Sequence, residues 1–548
     1  MESEDNELLL YSKTKKAFDD LLDLNMSPEE LHQTTHNEPF LVWRVLILDD
    51  YSNLAMAPIM HVGNLRLHNV TLYLPLHSER KEIHSVTAIY VVEPTQLNIE
   101  RIIQDCRANL YEHFQINFIH PPRQVALETL GAGLVAENSV GKLLKVYEQY
   151  LKFVPLEDQL FISNYPSFET LQQPGKPDEE IEDMLGEVAM SLFCVLRTCN
   201  VWPIIQAGKG MSEIVAHKLA ELCWSHSKDS SQLSRPLLLI LDRSVDFPIM
   251  FHHGWTYQAL AFDVFRNSLN KVVLPGDPPQ VHELDKSRDE FWKHQSSEEF
   301  SQVLQNIDKH FNEWKQTYDQ MGSNISEAFE KVSRMTEVKS QLDLHMNMAT
   351  QLVNEAKSRH LDYFNQAEEL LMQGRNSDIN ELLQKTPGEN SSYEDWERDK
   401  LRLETIAYLC HKTEDISDPA LKNYLQSLRG EAEQQSALKS LAGFAGKMKE
   451  KLIGQERMLP VTKLLHSAME NRSRDLVYYD SMKVDAQKYK KEFSEAIVFV
   501  VGGGCYSEYH NLMHYSQKFS KNILYGSTEM CSPKDFLKQL QNLSQISY

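Results

Sequence analysis

The chain reads as α/β plus α, and three observations carry that reading. Short apolar runs bounded by charge, such as residues 42–50 (VWRVLILDD) and 236–241 (PLLLIL), are too short for helices. They have the pattern of strands buried on both faces of a parallel sheet. Runs of this kind occur near both ends of the chain, with a long helical stretch between them. Within that stretch Phe300, Val303, Leu304, Ile307, Phe311, Trp314, Tyr318 and Met321 step by threes and fours, a sustained helical seam.

In chain order, residues 13–25 form a short amphipathic helix with Ala17, Phe18, Leu21 and Leu22 on its face. Strands follow at 42–50, in NVTLYLPL and in VTAIYVVEP, then a helix over 96–110 and a strand in FQINFIHPP. Strands alternating with helices imply a doubly wound parallel sheet. From 127 to 153 the text is helical, and VPLEDQLFISN opens a second α/β unit. Helices at 181–197 and 211–224 precede the strand at 237–241. Tyr257, Leu260, Ala261, Val264, Phe265 and Leu269 then recur on one helical stripe. A further strand at 496–501 and ILYGST near Ile523 complete the same unit from far downstream. The spacing therefore gives an amino-terminal α/β domain over 1–154, a discontinuous second one over 155–272 and 485–548, and an inserted helical domain over 273–484.

Inside the insert, Gly322-Ser323-Asn324 breaks the first seam. A second series runs through Ile325, Phe329, Val332, Met335, Val338 and Leu342, making a helical hairpin. Residues 376–395 form a polar exposed connection, and 441–454 (LAGFAGKMKEKLIG) a small-residue-rich mobile loop.

A formal net charge of −22 argues against a nucleic-acid surface, which needs a basic face. No apolar run is long enough for a membrane span, and the amino terminus lacks a signal peptide's apolar core. Seven scattered cysteines without a CxxC pair imply neither a disulfide frame nor a zinc site. The chain is expected to be cytoplasmic, with no metal and no cofactor.

Three features invite a chemical reading. Gly502-Gly503-Gly504 follows a strand but fails GxGxxG, since Ser507 occupies the last glycine position. Gly208-Lys209-Gly210 lacks the spaced glycine and the Ser/Thr of a phosphate loop. His252 and His253 are adjacent, so on a helix they diverge by about 100° and share a metal poorly. Asp242, Arg243 and Asp246 stand at the carboxyl end of a strand, where α/β sheets place functional groups. They are either a catalytic constellation or an ionic clamp in which Arg243 ties Asp246 and nearby carbonyls at a domain joint. No nucleophile–base pair accompanies them, which favours the clamp.

The run LLLILDRSVD–HHGWTYQALAFDV resembles the signature of the Sec/Munc (SM) family, the chaperones of SNARE-mediated membrane fusion. The block AIVFVVGGGCYSEYHNLMHYSQKFSKNILYGSTEMCSPKDFLKQL resembles the carboxyl-terminal segment of its ER–Golgi branch, the Sly-like members. The resemblance implies a three-domain arch and a non-enzymatic monomer held peripherally at ER and Golgi membranes. It also implies a syntaxin-type Qa-SNARE, bound through its amino-terminal peptide, and an assembling SNARE bundle with an R-SNARE as partners. The peptide groove maps by resemblance onto Leu127, Leu130, Gly131, Leu143 and Val146, in LETLG and GKLLKVYEQY. Helical spacing would put Leu127 with Leu130, and Leu143 with Val146, on shared faces. The SNARE-templating surface maps onto the hairpin tip, Met321, Gly322, Ser323, Asn324 and Ile325. The rival readings are an SM protein of a vacuolar, endosomal or exocytic step, and a nucleotide-binding α/β enzyme.

Overall fold

The structure, a computed structural model, describes residues 8–24, 43–83, 85–226, 235–320, 325–375, 383, 385–386, 392–434, 458–473, 475–483 and 492–546. Strand β1 (Arg44–Leu48) is buried at every position, as a strand covered on both faces must be. It is flanked by β2 (Val70–Pro75) and β3 (Thr87–Val92), and β4 (His113–Phe118) and β5 (Leu143–Glu148) follow. All pairings are parallel, in the order β2-β1-β3-β4-β5. Helix Gln96–Arg107 starts where the Thr95 side chain accepts from the Asn98 N–H, an N-cap. Helix Gln124–Ala136 lies beside it on the same face, with Leu130 and Leu134 packed among Ile116 and Phe118.

Here the structure departs from the periodicity. The helical text expected up to 153 stops at Ala136, and residues 143–148 are the edge strand β5. Short apolar runs satisfy both periods, and along β5 burial alternates residue by residue, as on a half-covered strand.

The second unit holds β6 (Val154–Glu157), β7 (Leu160–Ile162), β8 (Ile204–Ala207) and β9 (Leu237–Asp242). A small antiparallel sheet follows: β10 (Arg266–Ser268), β11 (Lys271–Leu274) and β12 (Gln280–Glu283). Last come β13 (Val477–Asp480), β14 (Glu495–Val501) and β15 (Asn522–Ser527). The large sheet has the order β13-β8-β9-β14-β15-β7-β6, parallel inside and antiparallel at both edges. Strands β9 and β14 pair directly although more than 250 residues of chain separate them. Two expected boundaries shift. Position 272 falls inside β11, and β13, placed in the insert from sequence, is an edge of the large sheet. The stripe from Tyr257 also breaks early: the helix ends at Val264, and Leu269 sits in the β10–β11 turn with φ +53°.

Helices Phe300–Gln320 and Ile325–Arg359 form the hairpin, with Val303, Ile307, Leu342 and Leu352 in the core at its base. Helices Leu361–Met372, Tyr393–Leu409 and Pro419–Gln434 pack around Trp396 together with the last helix, Pro533–Gln545. Residues 441–454 and most of the 376–391 connection lie outside the described residues.

Helix Leu10–Leu24 ties the two large sheets. Its Leu10 N–H donates to the Asp158 carbonyl beside β6 (2.8 Å), and its Leu22 carbonyl accepts from Arg44 on β1 (3.2 Å). Between the same units, buried Lys152 reaches Glu93 (3.0 Å) and Glu187. No described helix is long and apolar enough to cross a membrane.

Candidate functional site

Two surfaces and one polar corner cover the residues singled out from sequence. The first surface is the shoulder formed by helix Gln124–Ala136 and edge strand β5. The helix sits close to its neighbour because Gly133 faces Ile103: a Cβ at Gly133 would come within 2.3 Å of Ile103 Cδ1. That approach buries Ala126, Leu130 and Leu134 and turns Leu127, Gly131 and Val135 outward at i, i+4, i+8. Leu127 is 42 % exposed and Leu130 only 4 %, so the shared face expected for this pair does not form. Leu130 belongs to the core.

On β5 the helical pairing of Leu143 with Val146 is also replaced, but by an arrangement that still keeps them together. A register shift lets Leu143 pair with Phe114 and Val146 with Ile116, two residues apart on β4. Both side chains therefore point to the face that carries helix Gln124–Ala136, where an unbulged strand would have split them. Leu143 packs on the core there, and Val146 remains 42 % exposed. Gly131 faces open space, with nothing within 4 Å of an added Cβ. Leu127 and Gly131 on the helix and Val146 on the edge strand are thus apolar positions left open at this shoulder, the candidate strip. Val135, Val140 and Leu144, on the helix, the turn after it and β5, are each about half exposed or more. Sequence reasoning passed over these three, although they interleave with the quoted motifs.

The second surface is the hairpin. Its seam is core at the base, with Phe300 3 %, Val303 0 % and Ile307 3 % exposed, and it opens outward until Tyr318 is 51 % exposed. Trp314 bridges the two helices by donating to the Met335 carbonyl (2.9 Å), and Tyr318 stacks on it at 5.3 Å. Met321, Gly322, Ser323 and Asn324 lie outside the described residues, as does the side chain of Ile325.

The polar corner sits at the carboxyl ends of β9 and β14. Arg243 donates through Nη1 and Nη2 to both Glu508 oxygens (3.1 and 2.9 Å), to the Gly503 carbonyl (3.2 Å) and to the Asp246 carbonyl (2.8 Å). Arg243 and Glu508 are both fully buried, and Tyr525 donates its hydroxyl to Glu508. The clamp expected from sequence exists, with two corrections. Its anion is Glu508, and Asp246 contributes its carbonyl. It also joins the two sequence-distant halves of one sheet, whereas a joint between domains was expected. Glu508 had a readable signal, a carboxylate in register with Leu512 and Tyr515 on the apolar stripe of helix Tyr506–Phe519.

Asp242 faces the other way. Its Oδ1 accepts from the Ser212 N–H (2.9 Å) at the start of helix Met211–His226. Burial pushes its carboxyl up to about 6, against the opposing pull of that N–H. A helix amino terminus behind a glycine loop is where a phosphate would sit, but here the protein's own carboxylate holds the place. Gly210, at φ +104°, leaves room for it: an added Cβ would stand 2.9 Å from Asp242 Oδ2. Gly502 and Gly503 also have positive φ, +97° and +102°, as the turn beside Arg243 requires.

A model of the Sec1 family matches residues 44–539, nearly the whole described fold. The chain belongs to the Sec1 family. Among its relatives, the "SEC1 family transport protein SLY1" of Arabidopsis thaliana is 30 % identical, the match covering 94 % of each chain. The "Sec1 family domain-containing protein 1" of Rattus norvegicus is 29 % identical, over 92 % of this chain and 94 % of the relative. Among solved structures, Sly1p in complex with an N-terminal peptide of Sed5p superposes with a TM-score of 0.81 at 26 % identity, covering 98 % of this chain and all of that one. Vps45 in complex with the Qa SNARE Tlg2 (1–310) reaches 0.75 at 17 % identity, over 97 % of this chain and 98 % of that one, a likeness of fold. The family architecture is the three-domain arch of two α/β units and a helical one.

Proposed function

We propose that this Sec1-family chain is a SNARE chaperone of ER-to-Golgi vesicle fusion, with its amino-terminal domain binding the amino-terminal peptide of a syntaxin-type Qa-SNARE. The observation that carries the reading is the apolar strip of Leu127, Gly131 and Val146, open on a chain that matches Sly1p, solved with a Sed5p peptide, from end to end. An apolar peptide side chain buried there gains about 1.5–3 kcal/mol, so two or three such anchors are the main favourable contribution set against the cost of association. The distal hairpin, where Trp314 and Tyr318 emerge from the core, is the second working surface, laying partner helices side by side. The division into 1–154, 155–272 with 485–548, and 273–484, its cut at 272 moved clear of β11, assigns one task to each outer domain. Strand β13 goes to the second domain, whose buried corner holds the body together. No step of covalent chemistry belongs to this reading, and attachment at ER and Golgi membranes follows from the SNARE partners.

Calorimetric titration of the amino-terminal peptide of an ER–Golgi syntaxin tests it. Val146→Lys should weaken binding by about tenfold or more, the loss of one buried apolar contact, with the melting temperature unchanged. Equal affinity for both proteins would remove the strip as the peptide's seat.

A further inference from the structure

Six ionisable side chains meet where the long arm of the hairpin returns to the body, and none is more than 7 % exposed. Asp263 comes from helix Tyr257–Val264 and His253 from the extended turn before it. Arg359 is the last residue of helix Ile325–Arg359, Glu368 lies on helix Leu361–Met372, and Asp399 and Arg402 lie on helix Tyr393–Leu409. Arg359 grips Asp399 through Nε and Nη2 (2.8 and 2.7 Å). Arg402 grips Asp263 (3.1 and 2.9 Å), touches Asp399 at 3.5 Å and donates Nε to the Phe251 carbonyl (2.8 Å).

His253 closes the set. Its Nδ1 lies 2.7 Å from Glu368 Oε1, its Nε2 3.2 Å from Asp399 Oδ1, and its backbone N–H donates to Glu368 Oε2 (2.8 Å). A neutral imidazole has one N–H and one lone pair, and a lone pair aimed at a carboxylate oxygen repels it. Both nitrogens face carboxylates, so both must carry protons. The count agrees: three carboxylates against two guanidinium groups leave one buried negative charge, which an imidazolium cancels.

We propose that His253 is a fixed imidazolium, the cationic keystone that latches the root of the hairpin onto the body, and that the latch loosens as pH rises. Burial and Arg402 alone would depress His253, but Glu368 and Asp399 carry it above the ordinary histidine value. Burial would raise Asp399, yet His253 and Arg359 hold it well below the usual carboxylate range. The other groups at the ring are uncharged: Phe364 stacks on it at 5.3 Å, and Asn365 donates to the His253 carbonyl (2.7 Å). Adjacent His252 faces Glu369 at 3.9 Å, outside the set.

The sign follows from a raised histidine. Its stabilisation is complete below the unfolded value of about 6.5 and is lost as pH climbs through the folded value. Within that window each pH unit weakens the closed latch about tenfold. The long helix is therefore held to the body by a contact that titrates from near neutrality upward.

Nitrogen NMR of the histidine-labelled full chain at pH 7.5 tests the charge. Both His253 ring nitrogens should show protonated shifts, and a neutral-tautomer pattern overturns the proposal whether or not any variant folds. Hydrogen exchange with His253→Gln tests the latch. Amides of 355–372 and 393–409 should lose protection at least tenfold while β1 and β3 keep theirs, and the fall in stability from pH 6.5 to 8 should flatten. Equal loss of protection in every segment, or an unchanged slope, marks His253 as ordinary core and sinks the latch.

Discussion

The shoulder of the first sheet and the polar corner of the second invert the usual expectation for an α/β protein. At the corner, Arg243, Glu508 and the Asp246 carbonyl gather at strand ends, where ligands commonly sit, yet they are buried and bonded to one another, and Asp242 beside them is taken up by the Ser212 N–H. At the shoulder, leucine and valine side chains that would ordinarily fill a core stand open to solvent. Buried charge without an opening organises structure, whereas exposed apolar surface without a cover awaits a partner. In this molecule the residues that look chemical hold the fold, and the residues that look structural form the surface proposed for recognition.

The sharpest way to break that contrast is Arg243→Met. It leaves Glu508 buried with Tyr525 and no cation, and should cost about 3–5 kcal/mol in denaturant unfolding. Adding Glu508→Gln should recover part of the loss. A cost below about 1 kcal/mol for the single variant would mean that the corner does not clamp the two halves of the sheet. Next in size is the pair Leu130→Ala and Leu127→Ala, three residues apart on one helix. The first should lose about 2–4 kcal/mol of stability, as a core leucine does. The second should change stability by less than about 1 kcal/mol while weakening the peptide. Reversed outcomes would place the working face on the other side of the helix.

The smallest effect belongs to Asp242→Asn. A carboxyl raised to about 6 stabilises the fold below its unfolded value near 4, and that contribution is lost as pH rises through 6. The uncharged amide still accepts from Ser212, so the variant should gain about 1–3 kcal/mol over the parent at pH 8. The gain should vanish near pH 4. Urea melts at the two pH values measure it, and a variant equally weakened at both would show that the carboxylate's bond outweighs its burial.

How much of this was readable depends on the range of the signal. Strands β1, β3, β9, β14 and β15 announce themselves as dense apolar runs because both faces are covered. Strand β5 misled, since a half-covered edge of six residues has too few turns of either period to choose between helix and strand. The candidate strip was legible as a set of positions, while its face was not. Leu130 turns inward because Gly133 admits Ile103, and Leu143 and Val146 share a side because of a bulge, neither of which spacing encodes.

By itself the sequence determined the class and the family and pointed to two candidate surfaces, because periodicity and motif are local properties of the chain. Only the tertiary structure decided which anion meets Arg243, which leucine is free, and how His253 comes to stand between two carboxylates from different helices. Those pairings join residues up to 265 positions apart. Their partners are fixed by how the layers stack, and a linear text holds no record of that.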